Sequence, residues 1–184
     1  MNKNCITEKM HLVFVYLRLK RLQQRVRGFH FECWANISSK SDIEISKDSI
    51  VSLGKGIHTR PYSLIAVREK AELTIGRNVF VNRNTIIVCR KNISIGNNVT
   101  IGPNCCIYDH DHNITRSVGY VCKEIVIGRN VWIGGNVMIL KGVTIGENSV
   151  IAAGSIVISD VPSNTILYQK RQNSYKPILS NENQ

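Results

Sequence analysis

The chain has 184 residues, 43% of them hydrophobic, which suits one domain with a packed core and a short appendage. Its formal net charge of +11 points to a polyanionic partner, an anionic lipid or a multiply phosphorylated cofactor; with 7% aromatic residues and no recognisable nucleic-acid module, a nucleic acid is not expected. No apolar run approaches the ~20 residues of a membrane span, no signal peptide is visible and the six cysteines lack metal-ligand spacing, so a cytoplasmic protein with reduced thiols is expected.

Residues 1–30 read as a basic amphipathic helix. From Thr7 to about Arg27, Leu12, Tyr16, Leu19, Leu22 and Val26 follow three- and four-residue steps. Gly28 is a stop, and Lys9, Arg18, Lys20, Arg21, Arg25 and Arg27 make the other faces basic. Two roles fit: a cap over the open end of a solenoid, and an interfacial helix on anionic lipid.

Residues 31–162 carry a six-residue beat. It is loose from Phe31 to Ala71, where Ile37, Ile43, Ile45, Val51, Leu53, Ile57 and Ile65 mark short strands. It sharpens at Ile75, slips by two residues between Ile87 and Ile95, and runs cleanly from Ile127 to Val161. Ile127, Ile133, Ile139, Ile145, Ile151 and Val157 sit six apart, each followed four places on by a small or branched residue. Neither a helix nor an ordinary strand repeats every six residues; three short strands and three corners per coil do, in a parallel β-helix. Asn78, Asn84, Asn98, Asn104, Asn130, Asn136 and Asn148, with Gly142, Gly154 and Asp160, fall three places after the aliphatic residue, where the corner needs positive φ. Cys105 occupies an inward small-residue place and is a packing residue.

The beat breaks once. From Ile95 to Ile127 is 32 residues, where a coil of three six-residue sides takes 18, so roughly 14 leave the prism as an excursion loop, assigned to residues 108–124. It carries Tyr108, Asp109, His110, Asp111 and His112. A histidine on a loop beside a rigid wall is a natural general base; a solvated loop histidine and a weak metal pair are the bland alternatives, and without a third ligand no metal is expected. Asn82 stands in a place that usually holds Gly or Ala, and the beat gives no reason for an amide there. Trp132 points outward from a coil wall, to stack on a planar ligand or to be buried at a subunit interface. The tail, residues 163–184, follows Pro162 and fades into a polar end beyond about Ser180.

The runs Ile127-Gly-Arg-Asn-Val-Trp-Ile-Gly-Gly-Asn-Val and Gly142-Val-Thr-Ile-Gly-Glu-Asn-Ser-Val-Ile-Ala-Ala-Gly-Ser resemble the bacterial hexapeptide-repeat acyltransferases. The resemblance covers Ile75 to Pro162 and is strongest to the galactoside/maltose O-acetyltransferase type and its relatives from surface-polysaccharide clusters. It implies an all-β, left-handed parallel β-helix, homotrimers with active sites between subunits, and acetyl-CoA as co-substrate. Aligned on Ile101-Gly-Pro-Asn104, the family's catalytic histidine falls on His112, its site asparagine on Asn82 and its tryptophan beside the cofactor on Trp132. Gly135 and Ala153 fall where the cofactor arm passes the backbone. The family's Gly-x-Pro-Ala-Lys tail is absent; Lys170 and Arg171 stand near its place as candidates for the cofactor phosphates.

The resemblance thus implies acetyl transfer to a sugar hydroxyl of a capsule or O-antigen type polysaccharide, sialic acid included, with Asp109 or Asp111 orienting the His112 imidazole. The basic helix would then meet the inner membrane face. An N-acetyltransferase acting on a nucleotide-linked amino sugar, and a non-catalytic hexapeptide scaffold, are the alternatives.

Overall fold

A computed structural model describes residues 3–33, 35–115, 118–170 and 172–176. Arg171 and the chain beyond Ser180 fall outside the described residues.

The hexapeptide beat closes into a three-faced prism of six coils and a partial seventh. The first face stacks Phe29–Phe31, Ile50–Leu53, Glu72–Ile75, Asn92–Ile95, Ile125–Ile127 and Thr144–Ile145. The second stacks Asn36–Ile37, His58–Thr59, Phe80–Val81, Thr100–Ile101, Trp132–Ile133, Val150–Ile151 and Ile166–Leu167. The third stacks Asp42–Ile45, Leu64–Val67, Ile86–Cys89, Cys106–Tyr108, Met138–Ile139 and Ile156–Val157. Every pairing along the three faces is parallel and in register, like on like: Ile75 beside Ile95, Ile95 beside Ile127, Ile127 beside Ile145.

The register explains why the beat is loose at first. Leu53 pairs with Ile75, 22 places on, and Ile75 with Ile95, 20 places on, whereas Ile127 pairs with Ile145 after 18. The early coils use four-residue strands on the first and third faces, so their corners fall out of the six-residue period. The aliphatic ladder and the residues four places on are buried along the clean stretch, from Ile127 and Val131 to Val157 and Val161, and Cys105 is buried among them. Each fully buried aliphatic side chain contributes roughly 1.5–3 kcal/mol relative to exposure.

All seven corner asparagines take positive φ, between 55° and 59°, joined by Asn164. Asn78, Asn98, Asn130, Asn148 and Asn164 also form a side-chain ladder, each amide donating to the next at 2.9–3.2 Å. Asp160 departs from the expectation: it is not among the positive-φ residues, and its carboxylate instead accepts the amide of Thr144 at 2.7 Å. The place after each buried aliphatic has a different requirement. A Cβ on Gly128 would lie 2.6 Å from the backbone nitrogen of Glu147 in the next coil. Coils held about 4.8 Å apart by parallel hydrogen bonds cannot part to admit it. Gly128→Val is expected to destabilise the protein by about 3 kcal/mol or more, read as a lower melting temperature; an unchanged melt would show that the coils yield.

Helix α1 (Lys3–Arg25) lies across the first coil. It begins earlier and ends sooner than the sequence reading, a difference usual at frayed ends. Val15, Leu19 and Val26 are fully buried against Phe29, Ala35 and Ile37, with Leu12 and Leu22 partly buried beside them. Val15 takes the place expected for Tyr16, which sits at the rim with its ring edge-on to Phe31 at 5.8 Å. Gly28 serves less as a helix stop than as a point of contact, because a Cβ there would strike the carbonyl of Ser49. At the other end Gln169 closes the open edge of the third face. Its side-chain amide donates to the carbonyl of Ile156 at 2.9 Å and accepts from the Ile156 nitrogen at 3.1 Å, as a further strand would.

Candidate active site

The second corner of the prism follows the second face. Asn82, Gly102, Gly134 and Ala152 succeed one another there in consecutive coils, each amide donating to the carbonyl one coil on: Asn82 to Ile101 at 3.0 Å, Gly102 to Ile133 and Gly134 to Ile151 at 2.8 Å. Small residues at three of the four leave a cleft of about 350 Å³ beside Trp132, which is 58% exposed. Asn82, Pro103, Gly135 and Ala153 also line it. The Asn82 carboxamide is held by one end: Oδ1 accepts the amide of Arg83 at 2.8 Å, while Nδ2 donates to no group among the described residues.

The excursion is a β-hairpin rather than an open loop. Tyr108 remains on the third face, paired with Val88, so the departure begins at Asp109. His110–His112 then pairs antiparallel with Tyr120–Cys122, placing His112 opposite Tyr120. The turn between them closes with the Asn113 amide donating to the Gly119 carbonyl at 3.0 Å.

Asp109 fastens the hairpin to the coil. Its fully buried carboxylate accepts the backbone amides of Arg90, Lys91 and Asn92 at 2.7–3.0 Å and the Cys89 thiol at 3.6 Å. Arg90 and Lys91 are the two residues of the slip before Ile95, so the slip is an enlarged corner capped by this side chain. Burial, and then the negative charge of Asp109, push the Cys89 thiol well above its ordinary range, which keeps it a hydrogen-bond donor. Tyr108, at the hairpin's foot, is pushed up to about 12 by burial, then by its contact with Cys106.

The expected orientation of His112 by an aspartate is not found. Asp109 meets His110 Nδ1 at 3.1 Å, and Asp111 forms an ion pair with Lys141. His110 is mostly enclosed, with Tyr108 and Tyr120 at 5.9 and 5.3 Å. His112 is exposed, tilted on Tyr120 at 5.0 Å, and makes no hydrogen bond among the described residues.

Asn82, Trp132, Gly135 and Ala153 therefore share one cleft, at the corner between the second and third faces. Tyr108, Asp109, His110, Asp111 and His112 lie around the corner between the third and first faces. One chain does not bring the two groups together. Lys170 is exposed beyond the last strand and does not line the cleft. Arg90, Tyr120 and Lys141 also contact the hairpin and its histidines, and the sequence reading did not single them out as candidate site residues. The signal for Tyr120 was the turn Gly119, which sets a strand returning opposite the histidines. Among the described residues no three His, Cys, Asp or Glu side chains converge as metal ligands do.

A six-residue parallel solenoid broken by one histidine-bearing hairpin, with a small-residue cleft beside an exposed tryptophan, defines a hexapeptide-repeat protein. Residues 124–159 match the family model described as bacterial transferase hexapeptide (six repeats). The chain is 35% identical over 152 residues to the galactoside O-acetyltransferase of Escherichia coli (strain K12), over 78% of this chain and 74% of that protein. A hexapeptide-repeat acetyltransferase of Vibrio cholerae superposes with a TM-score of 0.55 at 30% identity, over 78% of this chain and 69% of that one. The same protein, solved with acetyl coenzyme A, gives 0.53 at 38% identity over 59% and 60%. The chain spans about half the length of other curated relatives, among them a putative acetyltransferase of Saccharomyces cerevisiae at 45% identity over 101 residues, 52% of this chain and 51% of that one. The chain belongs to the hexapeptide-repeat acetyltransferases of the galactoside O-acetyltransferase type.

Proposed function

We propose that the protein transfers an acetyl group from acetyl-CoA to a sugar hydroxyl, as a homotrimer in which the hairpin of one subunit faces the cleft of the next. The observation that carries this is the separation of His112 from the Asn82–Trp132 cleft. Each is half of a site, and rotation of a prism about an axis parallel to its own apposes one corner to another. The pantetheine arm lies along the small-residue trough, past Gly135 and Ala153, with Trp132 against it. Lys170 is left as a candidate for the phosphates, with Arg171 outside the described residues.

In the reaction the neutral imidazole of His112 takes the proton from the acceptor hydroxyl as its oxygen attacks the thioester carbonyl. The tetrahedral oxyanion is met by the unused Nδ2 donor of Asn82. The carbonyl reforms, the C–S bond breaks, and the imidazolium returns its proton to the departing sulfur. The products are the sugar acetate and free CoA thiol. Thiol release from acetyl-CoA in the presence of a panel of hydroxyl and amino sugars tests this directly. Release that depends on no hydroxyl acceptor, or only on amino sugars, would sink it.

The acceptor we favour is a unit of a bacterial surface polysaccharide, acetylated at the cytoplasmic membrane face. Support comes from the outer side of α1. Met10, Val13, Phe14 and Leu17 are exposed at positions i, i+3, i+4 and i+7, opposite the buried stripe. Lys20, Arg21, Arg25 and Arg27 follow, and residues 10–27 contain no acid. No helix among the described residues is long and apolar enough to cross a membrane. An apolar stripe continued by basic side chains suits the interface of an anionic bilayer. The full chain is expected to bind vesicles containing phosphatidylglycerol and not those of phosphatidylcholine alone. The double substitution Phe14→Asp, Leu17→Asp should abolish binding; indifference of the unaltered protein to anionic vesicles would leave α1 as a cap only.

A further inference from the structure

Beside the hairpin, at the corner between the third and first faces, lies a second cleft of about 620 Å³. Ser46, Arg68, Glu69, Arg90, Tyr120 and Cys122 line it. Arg68 is already paired, with Glu44 at 2.8 Å. Arg90 is not. Its guanidinium lies over the Tyr120 ring at 3.6 Å, its Nε is buried with no hydrogen-bond partner, and among the described residues it forms no ion pair. The carboxylate of Asp109, which accepts the Arg90 backbone amide, is occupied by three backbone amides, a thiol and His110. Glu69 stands on the rim, exposed, and forms an ion pair with neither arginine. A guanidinium drawn into a cleft with no acid paired to it is costly, and its fork suits a carboxylate or a phosphate.

Tyr120 joins this cation to the chemistry. One side of the ring meets Arg90, and the same ring lies 5.3 Å from His110 and 5.0 Å from His112. Arg90 and His112 are thus both neighbours of one aromatic ring, on the hairpin that carries the histidines.

We infer that Arg90, supported by Arg68, is the anion-binding part of an acceptor site whose substrate is a sugar bearing a carboxylate or a phosphate. This rests on the acetyl-transfer reading for the word acceptor; the anion site itself does not. The site holds the charged substituent at Arg90 and presents a ring hydroxyl to the hairpin. A neutral sugar forgoes the ionic contact and is discriminated against.

The test is calorimetric titration with galactose, galacturonic acid and galactose 6-phosphate, without acetyl-CoA. At least one acidic sugar is expected to bind tenfold or more tightly than galactose, a ratio that charge-assisted bonds to one guanidinium supply. The carboxylate and phosphate arms show which group is preferred. Arg90→Gln should bring the acidic sugar down to the level of galactose, while Arg90→Lys keeps part of the preference through its charge. Arg68→Gln, whose partner is Glu44, should cost only about threefold. These last two variants keep the test informative if Arg90→Gln melts early. Equal affinities for all three sugars, or a preference that survives Arg90→Gln, would overturn the proposal. Charge-selective binding without transfer to any sugar would sink the transferase reading and leave the anion site. Transfer without charge preference would do the reverse.

Discussion

Substituting His112 by Ala is expected to lower kcat for acetyl transfer by about 10²–10⁴-fold, the usual contribution of a positioned general base. The oligomer and the melting temperature should stay as they are, because the side chain is exposed and makes no hydrogen bond among the described residues. KM for acetyl-CoA should change little, since the proposed role of His112 is to take the proton of the acceptor hydroxyl and not to hold the cofactor. His110 is the serious competitor. It has the acid-oriented arrangement familiar in catalytic bases, with Asp109 at 3.1 Å from Nδ1. Its side chain, however, is only 13% exposed and enclosed by Tyr108 and Tyr120, and its acid is committed to the corner amides. His110→Ala should therefore act through the hairpin root, lowering the melting temperature together with activity. A melt left intact by His110→Ala alongside a larger loss of kcat than His112→Ala would reverse the assignment.

Much of this arrangement is written in the repeat. A corner that requires positive φ selects Asn or Gly, so seven asparagines disclose seven corners. A buried ladder selects Ile and Val at a fixed interval, so the period discloses the number of residues per turn. The same regularity makes departures visible, which is why Asn82, Trp132 and the break after Ile107 stood out. What escaped was of another kind. The hairpin depends on pairing His112 with Tyr120 across a turn, a contact with no period. Asp109 looked like a site residue because it adjoins a histidine, yet its partners are backbone amides about 18 residues earlier, and backbone leaves no trace in side-chain identity. The period likewise does not show why Gly128, Gly134 and Gly146 follow their aliphatic residues, which is that the next coil's backbone presses on the Cβ position. Above all, the proposed site is divided between two corners of one prism, and such a site cannot be seen by reading one chain's neighbours.

Asp109→Ala should prove the most damaging single substitution at this corner, for stability and activity at once. Three buried amides, those of Arg90, Lys91 and Asn92, lose their acceptor together. Each orphaned donor costs about 1–3 kcal/mol, less whatever water entering the space restores. A loss of roughly 3–5 kcal/mol follows, which for a chain of this size is a fall of about 6–20 °C in melting temperature. Asp109→Asn keeps one oxygen able to accept and should lie between the two. Activity should fall further than unfolding explains. The hairpin is fastened at its foot by this side chain and by the Lys123 amide on the Asp109 carbonyl at 2.9 Å, and, nearer its tip, by the Asp111–Lys141 pair. With the side-chain anchor gone, the foot keeps only the Lys123 amide and the hairpin's own strand pairing, and a base displaced by about 1 Å loses on the order of 10²-fold. Measured well below the new melting temperature, kcat of Asp109→Ala should be reduced at least tenfold with the cofactor KM preserved. A variant that melts early but turns over normally at low temperature would show that the coil corner needs Asp109 and that the hairpin does not.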